Sequence, residues 1–525
     1  MEPNASDLMS AADILEGLPQ RIHEVIARHV AERPNHAALV EPAATWSYRA
    51  LADAVDAVAG DFRGLAIRPG DRVVLASENS AALAAFVFAC SKLDAWPVVA
   101  NPRLSPRELD QIVAHSGARR ILLAAAVSKE AADHGMRLGA ERRAVGPFAD
   151  IAIGALNETA QPEPVETDSA RQVGALVYTS GTTGQPKGVM LSHRNVLFAA
   201  RTSVLLRGTG PNDRIYAVLP ISHIVGFSAL LVATLMGGAT AQLVPRYDPA
   251  ALAKAIAEDG VTILCGVPAT YQRLLEFKTA NHIPRLERGR LRHMLVAGAP
   301  LDLTLKKRME EEFAQPLLNN YGITECSPGL AGVRSDSPRS DASVGPFFPG
   351  IEYRLIDRHR RLVPTGEVGE LHVRGPNVML GYYRAPDLTT KAIDADGWFN
   401  TGDLARLDGD HLFIVGRSKE LIIRSGFNVY PAEVEAVLNS HAQVVQSAVI
   451  GRAVPGNEEV VAFAQLLPGA TVSAQELMDY AARQLTSYKR PTEVILLKAL
   501  PAASTGKILK HKLWSLETSD VESSP

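Results

Sequence analysis

Chemistry concentrates in the run Tyr178-Thr179-Ser180-Gly181-Thr182-Thr183-Gly184-Gln185-Pro186-Lys187-Gly188. Its glycines let the backbone turn tightly, so successive amide N–H groups converge on one point and form an anion-binding concavity. Thr179, Ser180, Thr182 and Thr183 add hydroxyls, and Lys187 adds a positive charge. The natural guest is a polyphosphate. A Walker-type P-loop would need Gly-Lys-Ser/Thr at the start of a helix, with the hydroxyl on Mg²⁺. Here Lys187 is followed by Gly188-Val189-Met190-Leu191, which reads as a strand, and a helix begins only after Ser192, its N-cap. The pattern predicts phosphate binding outside P-loop architecture. Taken alone, the loop also reads as a ligand-free surface hairpin.

Further residues of suitable type recur downstream. Asn320-Tyr321-Gly322-Ile323-Thr324-Glu325 closes a strand with an aromatic that can stack on a base and a carboxylate that can hold Mg²⁺ through oxygen. Alone it is equally an ordinary strand-end turn. Gly298-Ala299-Pro300 follows another strand. Asp403 and Arg417 sit among many charges, where a surface salt bridge is the bland alternative. Lys507 stands in Ser504-Thr505-Gly506-Lys507, an exposed-looking loop near the C-terminus.

The elements that must position these residues alternate strand and helix. Asp71–Ala76 and Trp96–Ala100 read as strands flanking a buried helix at Ala81–Cys90. Asp248-Pro249 caps a helix, Val261–Leu264 is the next strand, and Leu295–Ala297 and Leu317–Tyr321 are two more. This spacing predicts a mostly parallel α/β sheet, with ligands beyond the carboxyl ends of its strands. Ala229–Ala241 reads as a core helix running into a strand, too short and too broken by Gly237-Gly238 to span a bilayer. After about residue 340 turn signals become dense, as in Gly345-Pro346, Gly375-Pro376 and Asp408-Gly409, which predicts an antiparallel, barrel-like region. The polar junction Gly416-Arg417-Ser418-Lys419-Glu420 then leads into a compact α+β tail. The expected organisation is an α/β chain with a large N-terminal domain over 1–416, made of two α/β subdomains plus the β-barrel-like region. A small mobile α+β C-terminal domain follows over 417–525.

The chain has 525 residues and a net charge of -3, which gives no nucleic-acid signature. Cys90, Cys265 and Cys326 are far apart and odd in number, so neither a disulfide framework nor a zinc site is expected, as fits a cytoplasmic protein. The start, Met1-Glu2-Pro3-Asn4, lacks signal-peptide character. His23, Glu24 and His29 lack a metal-binding spacing and read as a solvated helix face.

Together the motifs resemble the adenylate-forming superfamily: acyl- and aryl-CoA synthetases, firefly luciferase and the adenylation domains of peptide synthetases. The resemblance runs from about Ile22 to Lys510. It is carried in order by Tyr178–Gly188, Asn320–Glu325, Gly397–Asp403, Gly416-Arg417, Ser425–Pro431 and Pro501–Lys507. It implies an acid–thiol ligase using ATP, Mg²⁺ and coenzyme A, with a small carboxylic acid as substrate. By resemblance Tyr321 stacks on adenine beside Asn320, Gly322 and the Gly298-Ala299-Pro300 loop. Thr324 contacts the α-phosphate, Glu325 binds Mg²⁺, Asp403 accepts both ribose hydroxyls, and Arg417 bonds ribose or phosphate. Lys507 enters the site to neutralise charge as the carboxylate attacks the α-phosphate. Rotation about Lys419, the hinge position, then withdraws Lys507 and brings in the face with Ser425 and Gly426 to line a thiol channel. His223 matches a gate beside the carboxylate.

The acyl pocket, by the same resemblance, is lined by Ile224, Val225, Cys265, Ala297, Gly322 and Ser327. None is charged, so a dicarboxylate, which would want an arginine, is not expected. Pro220–Phe227 is similar to the halobenzoate–CoA ligase subgroup, and the small Cys265 leaves room for a larger apolar acid. An aromatic acid and a medium-chain fatty acid remain open. So do a carrier-protein acceptor in place of CoA, and a non-catalytic ATP-binding relative. The family further implies Lys507 as a substrate of a lysine acetyltransferase and deacetylase. The sequence leaves the oligomeric state open, a homodimer included.

Overall fold

The computed structural model describes residues 9–180, 186–425, 427–455, 457–467, 469–502 and 508–514. Among them, two eight-stranded sheets form the larger part of the molecule. One is ordered Gly329–Gly332, Leu317–Gly322, His293–Val296, Ile263–Gly266, Arg214–Ala217, Thr240–Leu243, Ala37–Glu41, Ala44–Ser47. Its interior pairs are parallel, with Gly266 opposite Val296 and Val296 opposite Asn319. Crossover helices cover it, each with legible punctuation. Asp248 caps Pro249–Ala257 by accepting from Ala250 N and Ala251 N, and Pro268 opens Pro268–Ala280.

The second sheet carries the glycine-rich hairpin. Its strands Arg72–Ala76 and Trp96–Ala100 pair in parallel, flanking the helix Ala81–Lys92, which is apolar and buried from Ala81 to Cys90. Val173–Ser180 and Pro186–Ser192 pair antiparallel, with Thr179 opposite Lys187 and Ser180 opposite Pro186. The chain thus leaves the loop as a strand, as its sequence predicts. The helix His193–Arg207 begins only afterwards, with Ser192 and Asn195 forming a capping box. On its other edge Pro186–Ser192 pairs with the two-residue strand Gly381-Tyr382. One apolar core joins both sheets, from Leu39 and Val73 to Ile215 and Leu412.

Three expectations are corrected. The barrel-like region is an open four-stranded antiparallel sheet, Glu352–Ile356, Gly369–Arg374, Phe399–Asp408 and His411–Arg417. Dense turns signalled hairpins, but four strands are too few to close on themselves. The core helix placed at Ala229–Ala241 begins earlier, as a π-helix over Val225–Val232, continues as Ala233–Met236, and reaches its strand at Thr240–Leu243. The π-helix is buried on every side, so no amphipathic period marked its start. His29 does not face solvent: it is buried against Tyr48, and its Nε2 meets Met236 O at 2.9 Å.

The C-terminal part has its own core. Strands Val444–Val454, Asn457–Leu466 and Glu493–Leu497 form a sheet packed by helices Pro431–Asn439 and Ala474–Gln484. Val434, Leu438, Val449, Ala462 and Leu477 fill the space between them. No helix among the described residues is long and apolar enough to cross a membrane.

Candidate active site

Four loops leave the carboxyl ends of neighbouring parallel strands and supply most of the predicted site. Arg214–Ala217 leads to His223, Ile263–Gly266 to Val267, His293–Val296 to Gly298, and Leu317–Gly322 to Thr324. Gly322 is required there: a Cβ would lie 2.1 Å from Pro328 O. Gly226, at the start of the π-helix, is held the same way, 2.1 Å from Pro220 O. Beyond Gly322 the chain makes one 3₁₀ turn, Thr324–Cys326, which buries Thr324 and leaves Glu325 half-buried.

Two clusters form around this turn. In the first, Tyr321 Oη donates to Asp403 Oδ2 at 2.5 Å, and Arg417 Nε lies 3.2 Å from Asp403 Oδ1. Asp403 and Arg417 face each other across the Phe399–Asp408 and His411–Arg417 strands. Asp403 is only 4% exposed while the Arg417 side chain is 44% exposed, so the pair joins a buried carboxylate to a guanidinium at the surface. The expectation that Asp403 presents both oxygens to a ribose is modified, because each already has a protein partner. Burial, then the Asp403 carboxylate, drives the Tyr321 phenol well above its ordinary range, so it stays a donor.

In the second cluster Tyr382 Oη donates to Glu325 Oε1 at 2.8 Å, and Lys187 Nζ sits 5.3 Å from the Tyr382 ring centre. Tyr382 therefore links the cation at the root of the glycine-rich loop to the carboxylate predicted to bind metal. The segment around it is stitched on both sides. Met379 N donates to Glu325 O, while Leu380 N and Tyr383 N donate to Met190 O and Gly188 O. Sequence reasoning passed over Tyr382, which lay among the turn signals; only its pairing with the loop strand reveals it. No cluster of three or more His, Cys, Asp or Glu that could hold a metal occurs among the described residues. Glu325, tied through Tyr382 to the strand that carries Lys187, fits Mg²⁺, which keeps waters and substrate phosphate oxygens as its other ligands.

Around the expected acyl pocket, His223 is half-buried and its Nδ1 accepts from Val225 N at 3.4 Å. Ala297 is half-buried, while Ile224, Val225 and Cys265 are buried. Ser327 departs from expectation: it is fully buried and its Oγ donates to Asn377 O at 2.9 Å, so its hydroxyl belongs to the wall. Asn320 Nδ2 donates to Leu318 O. Gly298 turns at φ 83°, leaving Gly298 and Pro300 exposed. A charge escaped the sequence reading. Arg207, at the end of the His193–Arg207 helix, directs Nη1 to Ala229 O at 3.4 Å and is electrostatically coupled to Cys265.

Lys419 is exposed in the single turn Ser418–Glu420. Ser418 Oγ donates to Glu370 Oε1 at 2.7 Å, while Glu420 Oε2 receives Lys510 Nζ at 3.0 Å. Ser425 is exposed at a hairpin tip with φ 52°, and its N–H donates to Asn457 Oδ1 at 2.6 Å. Gly181, Thr182, Thr183, Gly184, Gly426 and Lys507 lie outside the described residues, as does the Ser180 side chain.

Comparison with known proteins fits this geometry. The AMP-binding enzyme model matches residues 26–383, and the AMP-binding enzyme C-terminal domain matches 433–507. The chain is 34% identical to 4-coumarate–CoA ligase 5 of Oryza sativa subsp. japonica, covering 94% of each chain. It is 33% identical to feruloyl-CoA synthase of Amycolatopsis sp, covering 93% of this chain and 97% of that one. The O-succinylbenzoate coenzyme A synthetase of Bacillus subtilis, in complex with ATP and magnesium ion, superposes with a TM-score of 0.80 at 29% identity. That match covers 94% of this chain and 99% of the other. With full-length relatives and both domain models in agreement, the chain belongs to the AMP-binding, adenylate-forming enzyme family and is an acid–thiol ligase.

Proposed function

We propose that the protein joins an aromatic carboxylic acid, of the arylpropenoate kind, to coenzyme A at the expense of ATP. The observation that supports this reading is the strip Lys187–Tyr382–Glu325, a cation and a carboxylate joined through one tyrosine, as a nucleotide phosphate with its metal would require. The relatives named for coumarate and ferulate favour an aromatic acid over a fatty acid. The long-chain fatty-acid ligase of Yersinia pestis, 32% identical, keeps the second class as an arm of the test.

In the first half-reaction the acid's carboxylate oxygen attacks the α-phosphorus of ATP, the bond to the β-phosphate oxygen breaks, and pyrophosphate leaves with acyl-AMP remaining. Mg²⁺, held by Glu325, would neutralise phosphate charge. Lys187 supplies fixed positive charge at the loop, and Lys507 supplies it from the opposite side. Tyr321 and the Gly298–Pro300 loop hold the base, Asn320 and Gly322 shape its floor, and Thr324 bonds the α-phosphate. Asp403 and Arg417 take the ribose by exchanging part of their mutual pairing for its hydroxyls. His223 closes on the carboxylate. In the second half-reaction the CoA thiolate attacks the acyl carbon and AMP leaves. The domain over 417–525 turns about Lys419 between the two, bringing Ser425 and Gly426 to the thiol path.

The test is Lys507→Ala assayed in both halves. Adenylate formation, read as pyrophosphate release, should be abolished, while thioester formation from supplied acyl-AMP survives. Equal loss of both refutes the two-arrangement mechanism. Acyl transfer only to a holo-carrier protein would replace CoA as acceptor. Acetylation of Lys507 by a lysine acetyltransferase belongs to the same proposal: it removes the charge and should silence the first half alone. Sedimentation at assay concentration decides between a monomer and a homodimer.

A further inference from the structure

Arg207 closes the fifteen-residue helix His193–Arg207. A cation in a last helical turn ordinarily serves its own helix by facing that helix's terminal carbonyls. This one turns elsewhere. Its Nη1 reaches Ala229 O, 3.4 Å away in the π-helix Val225–Val232. Among the described residues that is its single side-chain hydrogen bond, and no carboxylate pairs with it. The ionisable groups that face it are the Cys265 thiol and the His293 ring. Burial raises the thiol's pKa, opposed by the guanidinium, so the thiol stays neutral, and an imidazole supplies no negative charge. Arg207 as a whole is half-buried, and desolvation lowers the guanidinium's pKa. A partly desolvated guanidinium without an anion is costly, and groups held in this way concentrate where a ligand completes them.

Its position identifies the ligand. The π-helix starts beside His223, the residue set against the reacting carboxylate, and Ala229 lies six residues further along. At helical rise that is about 9 Å, somewhat less in the wider π turn. This is comparable with a benzene ring carrying a two-carbon linker to its carboxylate. Cys265 stands on the strand Ile263–Gly266, whose carboxyl end opens on the same loops. Arg207 thus touches the π-helix that follows His223 and interacts with Cys265 on that strand, the two elements expected to wall the acyl pocket.

We propose that Arg207 is a specificity-determining residue, closing the deep end of the acyl pocket and donating to an oxygen on the aromatic ring opposite the reacting carboxylate. The inference rests on the aromatic-acid reading above and deepens it. A ring hydroxyl or phenolate meets the unused N–H donors, whereas an unsubstituted ring leaves them unpaired.

The experiment compares cinnamate with 4-hydroxycinnamate by kcat/KM for pyrophosphate release, in the wild-type enzyme and in Arg207→Met and Arg207→Lys. A hydrogen bond to a charged group predicts a wild-type preference for the hydroxylated acid of about ten- to hundredfold. Arg207→Met should reduce the ratio to near unity, and Arg207→Lys should retain part of it. Ligand-induced thermal shifts with the same two acids give the ratio independently of turnover. A ratio unchanged in Arg207→Met, or a wild-type enzyme that favours the unsubstituted acid, overturns the inference while leaving the ligase reading intact. Pyrophosphate release driven by fatty acids but by neither cinnamate overturns the aromatic reading and this inference with it. A wild-type enzyme that no acid stimulates defeats the ligase reading itself.

Discussion

Replacing Lys510 by Met should loosen the C-terminal domain where it meets the hinge. Lys510 Nζ contacts Glu420 Oε2 at 3.0 Å and Glu435 Oε1 at 2.7 Å. It thereby ties the turn holding Lys419 to the helix Pro431–Asn439, three residues from Lys507. The side chains of Lys510 and Glu435 are 21% and 14% exposed, and that of Glu420 is 38% exposed. Breaking a fully buried pair costs about 3–5 kcal/mol, and an exposed pair contributes about 0–1. This partly screened triad falls between, at about 2 kcal/mol. Amide hydrogen exchange in the Pro431–Asn439 helix should then accelerate about thirtyfold, with the two large sheets unaffected. Burial by itself would lower the lysine pKa, but Glu435 and Glu420 raise it above its ordinary 10.5. A cation whose folded-state pKa is raised contributes fully below the unfolded value and loses that contribution as pH climbs through the folded one. The effect should therefore be constant between about pH 6 and 9. Lys510→Arg should recover most of the protection. Exchange in Lys510→Met within threefold of wild type would refute the reasoning, as would an identical loss in Lys510→Arg.

Tyr382→Phe removes the hydroxyl that orients Glu325 and should raise the Mg²⁺ concentration needed for half-maximal pyrophosphate release about tenfold, at the low end for a hydrogen bond to a charged group. A magnesium titration of the variant checks it. Gly322→Ala places a methyl against Pro328 O and should destabilise by about 1–3 kcal/mol, read from urea unfolding, with KM for ATP rising as the turn shifts. His193 is buried with Nδ1 accepting from Ile22 N, and burial drives its pKa well below 6.5. The unfolded chain therefore binds the proton more readily, so this residue's contribution declines as pH falls below about 6.5. His193→Gln should flatten that part of the stability–pH profile.

Much of the site was legible because its chemistry is punctuated locally. The strand after Lys187, the Ser192 cap, and Asp248-Pro249 each fix a backbone event within a few residues. Contacts between distant segments were not legible. Tyr382 matters because a two-residue strand pairs with the loop strand, and nothing near it in the sequence names that partner. Arg207 read as an unremarkable helix end, since its significance lies in Ala229 and Cys265, on two other elements. Asp403 and Tyr321 were each singled out, but their direct bond arises only where the two sheets meet. The π-helix was mistimed because a segment apolar on every side carries no period to read.

The splice of residues 379–383 between Gly188 and Met190 on one side and Glu325 on the other bears on how the enzyme tolerates motion. Hydrogen-bonded in this way, the loop strand, Glu325 and residues 379–383 ride together as one plank, although their sequence positions span nearly two hundred residues. Under the two-arrangement mechanism proposed above, a moving smaller domain would leave the spacing of Lys187 and Glu325 unaltered. An insertion or deletion within that five-residue strip would be felt at once at the loop strand and at Glu325.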